Sequence, residues 1–311
     1  MSLFMEKQSS LIDPDIPMEL ESRREFRSII LNRNLRMLFQ PIVNLTDGTI
    51  FGYEGLTRGP KNSRFHSPLE LFGYAEQSGS LYALEKTTRE LAIKHSPTLL
   101  NNNEKLFINI NSQVVHDPDF TPGHTIQLLK QYNLSPSNVV FEITERSAIE
   151  DFTAFREVLN HYRAQGFKIA VDDAGAGYSS LQAISEIMPD FIKVDRSLIS
   201  DIHQNDIKIN ILDAFVTFAK KMKSTIIAEG IEKSEELKKV IELGIDCGQG
   251  FYLAQPNYPV MEIPNFIKEE ISHTRMFVQP ETKTHIVGLN DTIIIMDKHE
   301  ILKKSIVNRL L

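Results

Sequence analysis

Short apolar runs that close on an acid or an amide recur along the chain. Between them lie longer stretches whose apolar residues return every three or four positions. The first run is Met37 to Val43. Asn44-Leu45-Thr46-Asp47-Gly48 follows it, and a second run spans Thr49 to Tyr53. Asp-Gly between two apolar runs predicts a hairpin, and so short a connection cannot hold a crossover helix, so these two strands are expected to be antiparallel. Further strands are predicted at Lys105–Ile110, Val139–Ile143, Lys168–Val171, Phe191–Val194, Thr225–Ala228 and Gly250–Leu253. The stretches Pro68–His95, Phe152–Gln165 and Asn205–Lys223 have the spacing of amphipathic helices, and a first helix over about Met18–Asn34 is expected to pack across the barrel that these strands suggest. Strands alternating with helices imply parallel βαβ units. Eight strands, with the first hairpin included, suit an α/β fold: a modified (β/α)8 barrel of the TIM type with one antiparallel strand. An open doubly wound sheet also fits the pattern.

The organisation that follows is an N-terminal tail over residues 1–19, a barrel domain over 20–271, and a segment 272–311 that reads as a tail or the start of a further module. In this last segment Pro280 breaks the chain, and Thr292-Ile293-Ile294-Ile295-Met296 reads as a strand.

Composition narrows the classes of partner. The 311 residues are 41% hydrophobic and 24% charged, with a net charge of −7. No basic stripe stands out, which argues against binding duplex nucleic acid. Cys247 is the only cysteine, so an internal disulfide and a cysteine-based zinc site are excluded, and a reducing, cytoplasmic setting is expected. No apolar run approaches the roughly 20 residues that span a bilayer, and the N-terminus has no signal-peptide core.

The chemistry lies at the strand ends. Glu54 follows Phe51-Gly52-Tyr53, and Asn109 sits in Phe107-Ile108-Asn109-Ile110-Asn111. Glu142 lies in Val139-Val140-Phe141-Glu142-Ile143, with Glu145 beyond it. Asp172 and Asp173 close Ile169-Ala170-Val171, and Lys193 and Asp195 lie in Phe191-Ile192-Lys193-Val194-Asp195. Glu229 ends Ile226-Ile227-Ala228, and Gln249 precedes Gly250-Phe251-Tyr252. Each has a plain alternative: Asp172-Asp173 can cap the next helix, Lys193 can snorkel to solvent, and Glu229 with Glu232 can favour a helix dipole. Their recurrence at successive strand ends points instead to one face where carboxylates converge. Oxygen-only ligands there suit Mg²⁺ or Mn²⁺, and a pair of such ions activates water and clamps a phosphoryl group.

In order and spacing these residues resemble the EAL domain family across about residues 20–270. The resemblance is carried by Phe39-Gln40-Pro41-Ile42, Tyr53-Glu54-Gly55-Leu56-Thr57-Arg58, Asn109, Phe141-Glu142-Ile143-Thr144-Glu145, Asp172-Asp173-Ala174-Gly175-Ala176-Gly177, Ile192-Lys193-Val194-Asp195-Arg196-Ser197, Ala228-Glu229-Gly230-Ile231-Glu232, and Gln249-Gly250-Phe251-Tyr252 with Pro256. It implies metal-dependent hydrolysis of cyclic di-GMP to linear pGpG, and a homodimer. It implies metal ligation by Glu54, Asn109, Glu142, Asp172 and Asp173 with two Mg²⁺ or Mn²⁺ ions. Catalytic roles would fall to Glu54, Lys193 and Glu229, with Glu229 as general base or water-network residue. Gln40, Leu56, Arg58, Asp195, Gln249 and Pro256 would contact the substrate, with Gln249 also reaching a water on the metal. Glu145 and Glu232 would support the loops.

Two departures bear on activity. Gly55 stands where the family signature has Ala, beside the ligand and not the ligand itself. Ala174 and Ala176 stand where the loop after the aspartates has Phe and Thr, which is expected to loosen that loop. A catalytically weak receptor that acts by binding cyclic di-GMP is the alternative reading.

Overall fold

The computed structural model describes residues 15–101, 103–111, 123–144, 152–177, 180–278, 285–289 and 292–296. Eight strands close a barrel in the order β1 (Arg36–Asn44), β2 (Ile50–Arg58), β3 (Lys105–Asn109), β4 (Val139–Thr144), β5 (Lys168–Ala174), β6 (Phe191–Val194), β7 (Thr225–Ala228) and β8 (Cys247–Gly248). β1 runs antiparallel to both of its neighbours, β2 and β8, and every other pair is parallel. The reversed strand is therefore the one the Asp47-Gly48 turn implies. Gly48 has a φ of 73°, which a side chain disfavours.

The first helix, α1 (Asp15–Leu31), does not lie across the barrel. Its buried residues Phe26 and Ile29 cluster with Phe65, Leu71, Ala75 and Leu84, not with the strands. The predicted helix over Pro68–His95 is two helices, α2 (Pro68–Gln77) and α3 (Leu81–His95), because Ser78-Gly79-Ser80 interrupts it with Gly79 at a φ of 65°. The other long helices are α4 (His124–Gln131), α5 (Phe152–Ala164), α6 (Ser180–Ile187), α7 (Asp206–Met222), α8 (Ser234–Glu242) and α9 (Asn265–Val278). The strand expected at Gly250–Leu253 is a turn, with Leu253 and Ala254 both donating to the Gly250 carbonyl at 3.1 Å. β8 lies just before it. Gly250 packs so closely on Ile231 that a Cβ would sit 2.1 Å from the Ile231 carbonyl oxygen, which leaves no room to continue an extended strand with side chains. The strand read at Thr292–Met296 is present as β10, paired antiparallel with β9 (His285–Leu289) in a separate two-stranded sheet.

Two layers of apolar residues support the site. Outward-facing strand residues such as Leu106, Ile108, Phe141, Ile169, Ile192 and Ile226 pack against the helices. Inside the barrel, Ile42, Phe107, Val140, Ala170, Phe191, Ile227 and Cys247 form a separate plug.

Candidate active site

The interior plug dictates where the polar residues go. Side chains alternate along a strand, so the residue two positions on faces the same side. Phe107, Val140, Ala170, Phe191, Ile227 and Cys247 plug the barrel. Two positions further lie Asn109, Glu142, Asp172, Lys193, Glu229 and Gln249. On the reversed β1 the same step runs backwards, from Ile42 to Gln40. One ring of interior residues therefore sits directly above another, at the C-terminal ends of the parallel strands, which is the face where this fold places its chemistry.

At the centre is Lys193. Its Nζ lies 2.6 Å from Glu142 Oε1, 2.8 Å from Glu229 Oε1, 3.0 Å from Asp172 Oδ1 and 3.6 Å from Glu54 Oε2. Burial by itself would lower the pKa of this ammonium, but the four carboxylates outweigh it and hold the group charged well above its ordinary value. The acids move the other way. Burial raises Glu142 well above the usual carboxylate range, against Lys193, with Glu54 and Asp172 adding to it. Glu229 is pushed up to about 8, again chiefly by burial.

Amides tie this cluster together. Asn109 Nδ2 donates to Glu54 Oε1 and to Glu142 Oε2, each at 3.1 Å. With both amide hydrogens used on acids, the Asn109 carbonyl oxygen is left as its ligating atom. Gln249 Nε2 donates to Glu54 Oε2 at 2.6 Å and to Gln40 Oε1 at 3.1 Å. Gln40 in turn donates to the Ala254 carbonyl at 3.1 Å, and Phe39 and Asn257 exchange backbone hydrogen bonds at 3.0 and 3.1 Å, so the segment that carries Pro256 is fixed to β1 on both sides.

Asp172 and Asp173 are adjacent, and strict alternation would send them to opposite faces. The β5–β6 register shifts between Val171 and Ala174, and Asp173 takes a left-handed φ of 56°. Both carboxylates then join Glu229, each offering an oxygen within 4.8 Å of the others, a group able to hold a metal ion. Glu142 Oε1 and Asp172 Oδ1 are buried and face the Lys193 ammonium at 2.6 and 3.0 Å. An all-oxygen donor set of carboxylates and one amide fits a hard divalent cation.

Other residues singled out in the sequence lie around this centre. Arg58 donates to the Thr57 carbonyl at 2.8 Å, and Leu56 is half-buried beside it on β2. Asp195 caps a short helical turn, accepting from the Ser197 amide at 2.9 Å, which gives it a structural task at the mouth's edge. Glu232 pairs with Arg196 at 2.8 Å on the surface. Glu145 lies outside the described residues. The sequence reading missed Glu85 and Arg89, which are buried on α3. The available signal was a charged pair one turn apart, beside the Leu84 and Leu91-Ala92-Ile93 positions of the apolar face.

A family model described as EAL domain matches residues 23–256. Among curated relatives, the probable cyclic di-GMP phosphodiesterase PdeB of Escherichia coli is 30% identical over 227 residues, covering 71% of this chain and 42% of its own length. The probable cyclic di-GMP phosphodiesterase PdeG of the same organism is 28% identical over 234 residues, covering 74% of this chain and 46% of its own. The chain thus spans less than half the length of these relatives. Among solved structures, the manganese and cyclic di-GMP complex of Klebsiella pneumoniae BlrP1 at pH 6 is 32% identical with a TM-score of 0.66, over 72% of this chain and 56% of that one. A cyclic di-GMP-bound standalone EAL protein from Vibrio cholerae is 28% identical with a TM-score of 0.65, over 76% of this chain and 97% of that one.

Proposed function

The chain belongs to the EAL domain family, and from that premise we propose that it is a metal-dependent phosphodiesterase that hydrolyses cyclic di-GMP to linear pGpG. One observation carries the reading: a single buried ammonium, Lys193, faces four carboxylates from four different strands at the barrel mouth. Such a concentration of negative charge is costly to a merely structural barrel, because each buried ion loses its hydration.

Glu54, Asn109 and Glu142 would hold one cation and Asp172 and Asp173 a second beside Glu229, with Mg²⁺ or Mn²⁺ as the proposed ions. When bound, such ions polarise the phosphodiester and lower the pKa of a coordinated water. The chain's own groups do the rest. Glu229 accepts a proton from the water that attacks phosphorus, the P–O3′ bond breaks, the departing 3′-oxygen takes up that proton to become a hydroxyl, and the 5′-phosphate remains on the product. Lys193 offsets charge on the acids and on the phosphate. Arg58 pairs with the second phosphate, and Gln40, Leu56, Asp195, Gln249 and Pro256 shape the mouth for the dinucleotide. Glu145 and Glu232 are assigned to loop support. A homodimer and a cytoplasmic site of action are part of the proposal and rest on the resemblance and on the single cysteine.

The test is incubation with cyclic di-GMP and Mg²⁺ or Mn²⁺, followed by separation of the nucleotides. The linear product is expected with either ion, none in excess EDTA, and inhibition by Ca²⁺, whose longer and looser coordination suits an in-line displacement poorly. Full turnover in excess chelator contradicts the metal assignment. A second reading, a receptor that binds without turnover, draws on the end of β5 and the turn after it, where Ala174 and Ala176 replace the family's Phe and Thr. Binding with no cleavage under any divalent ion decides for it.

A further inference from the structure

One buried acid lies outside the mouth. Glu85 and Arg89, one turn apart on α3, are each 4% exposed. A glutamate beside core Leu84 loses hydration, and burial pushes its carboxyl up to about 8 against the opposing effects of Arg89 and the Asn111 amide. Glu85 Oε2 and Arg89 Nη1 have no hydrogen-bond partner among the described residues. Glu85 Oε1 does have one: it accepts from the Asn111 backbone N–H at 2.8 Å.

That bond falls where β3 loses one of its neighbours. Just past Asn109, the Ile110 N–H donates to the Glu142 carbonyl at 2.9 Å and extends the β3–β4 ladder. Successive amides of a strand point to opposite sides, so the Asn111 N–H faces the β2 side. The β2–β3 ladder ends at the pair Gly55 and Ile108. Asn111 is half-buried, and a backbone N–H withdrawn from water needs an acceptor. Past the end of that ladder the Glu85 carboxyl supplies one. The two amides after Asn109 are then held from both sides, one by the backbone of Glu142 and the other by a helix.

We infer that Glu85 is a positioning residue for Asn109: by accepting the Asn111 N–H it fixes the end of β3 and keeps the Asn109 carboxamide between Glu54 and Glu142. The inference rests on the reading of Asn109 as a metal ligand. Groups that orient a ligand in this way typically change metal affinity by about 10- to 100-fold when removed. Arg89, one turn on, opposes the effect of burial on this acid without outweighing it.

The experiment measures Mn²⁺ binding to the whole chain by calorimetric titration without nucleotide, with thermal unfolding on the same preparations. Glu85→Gln keeps an acceptor oxygen at the same reach and is expected to bind Mn²⁺ within about twofold of wild type. The double variant Glu85→Leu with Arg89→Leu removes the acceptor together with the buried Arg89 charge. Replacing buried charges by apolar side chains of similar size is often neutral or stabilising, so its melting temperature should hold while Mn²⁺ affinity falls about 10-fold. A double variant that binds Mn²⁺ like wild type overturns the inference, as does a Glu85→Gln variant that loses as much as the double variant. Wild type that binds no Mn²⁺ overturns the metal reading itself, and this inference with it. Amide exchange on the wild-type chain needs no variant: the Asn111 amide should exchange slowly and more slowly still with Mn²⁺. Fast exchange indifferent to Mn²⁺ overturns the inference even if the double variant does not fold.

Discussion

Lys193 Nζ and Glu142 Oε1 lie 2.6 Å apart with side chains 1% and 0% exposed, so the ammonium and the most deeply buried acid of the mouth are held against each other out of water. Three more carboxylates share that ammonium within 4 Å, and among the described residues no other cation pairs with them at that distance, Arg58 acting on Glu54 only from further away. The charge balance of the barrel mouth therefore depends on Lys193 or on an added cation.

Lys193→Met should expose that dependence. Removing one partner of a buried ionic cluster typically costs about 3–5 kcal/mol. The acids left behind regain neutrality by taking up protons, so the loss in EDTA should be larger at about pH 8 than at about pH 5.5. Mn²⁺ should raise the melting temperature of the variant more than that of wild type. Thermal unfolding across these conditions checks all three effects, and a variant as stable as wild type at the higher pH contradicts the charge argument.

Glu229→Gln keeps the shape of the side chain and removes its capacity to take a proton. Loss of a general base commonly lowers turnover by about 10²-fold or more, while binding of cyclic di-GMP should be retained or slightly improved. Single-turnover hydrolysis and equilibrium binding on the same preparation separate the two. Hydrolysis at the wild-type rate removes Glu229 from the mechanism.

Ala174, which ends β5, and Ala176, in the turn after it, are expected to respond differently from each other. Ala174 is fully buried in the main core and pairs with Val194, whereas Ala176 is exposed. Inserting Phe at 174 overpacks the core by several carbons, at a typical cost of about 1–3 kcal/mol. Ala176→Thr meets no such obstacle. Melting temperatures should fall for Ala174→Phe and stay level for Ala176→Thr. If the loop has been loosened by these departures, a metal titration of activity should tighten only in variants that remain folded.

Glu85 predicts a pH dependence of stability. In the folded chain its carboxyl keeps a proton up to about pH 8, while unfolded it ionises near its ordinary value of 4.5. Between those values the folded state binds the extra proton, so stability falls as pH rises through this window. Glu85→Gln does not titrate. The melting temperature of wild type relative to this variant should decline from about pH 5 to about pH 8 and then level off. A difference that stays flat across the window shows that Glu85 is ionised in the folded chain.

Much of the architecture was legible from local pattern. The Asp47-Gly48 turn implied that β1 and β2 are antiparallel, and the alternation of short apolar runs with amphipathic stretches implied parallel βαβ units that suit a barrel as well as an open sheet, because two-residue and three-to-four-residue periods are written into consecutive positions. The same period placed Glu54, Asn109, Glu142, Lys193 and Glu229 at strand ends. Three features were decided only in three dimensions. β8 is two residues long, Cys247 and Gly248, and exists because the edges of β1 and β7 each need a partner, so it has no period of its own to read. Asp172 and Asp173 reach one site only through the register shift and the left-handed backbone at Asp173, a distortion that neighbouring strands impose. Glu85 serves β3 from a helix 26 positions away from Asn111 in sequence. Side-chain period follows from the chain's own geometry and can be read from neighbours in sequence, whereas a hydrogen-bond partner or a shared charge is set by which segments folding brings together.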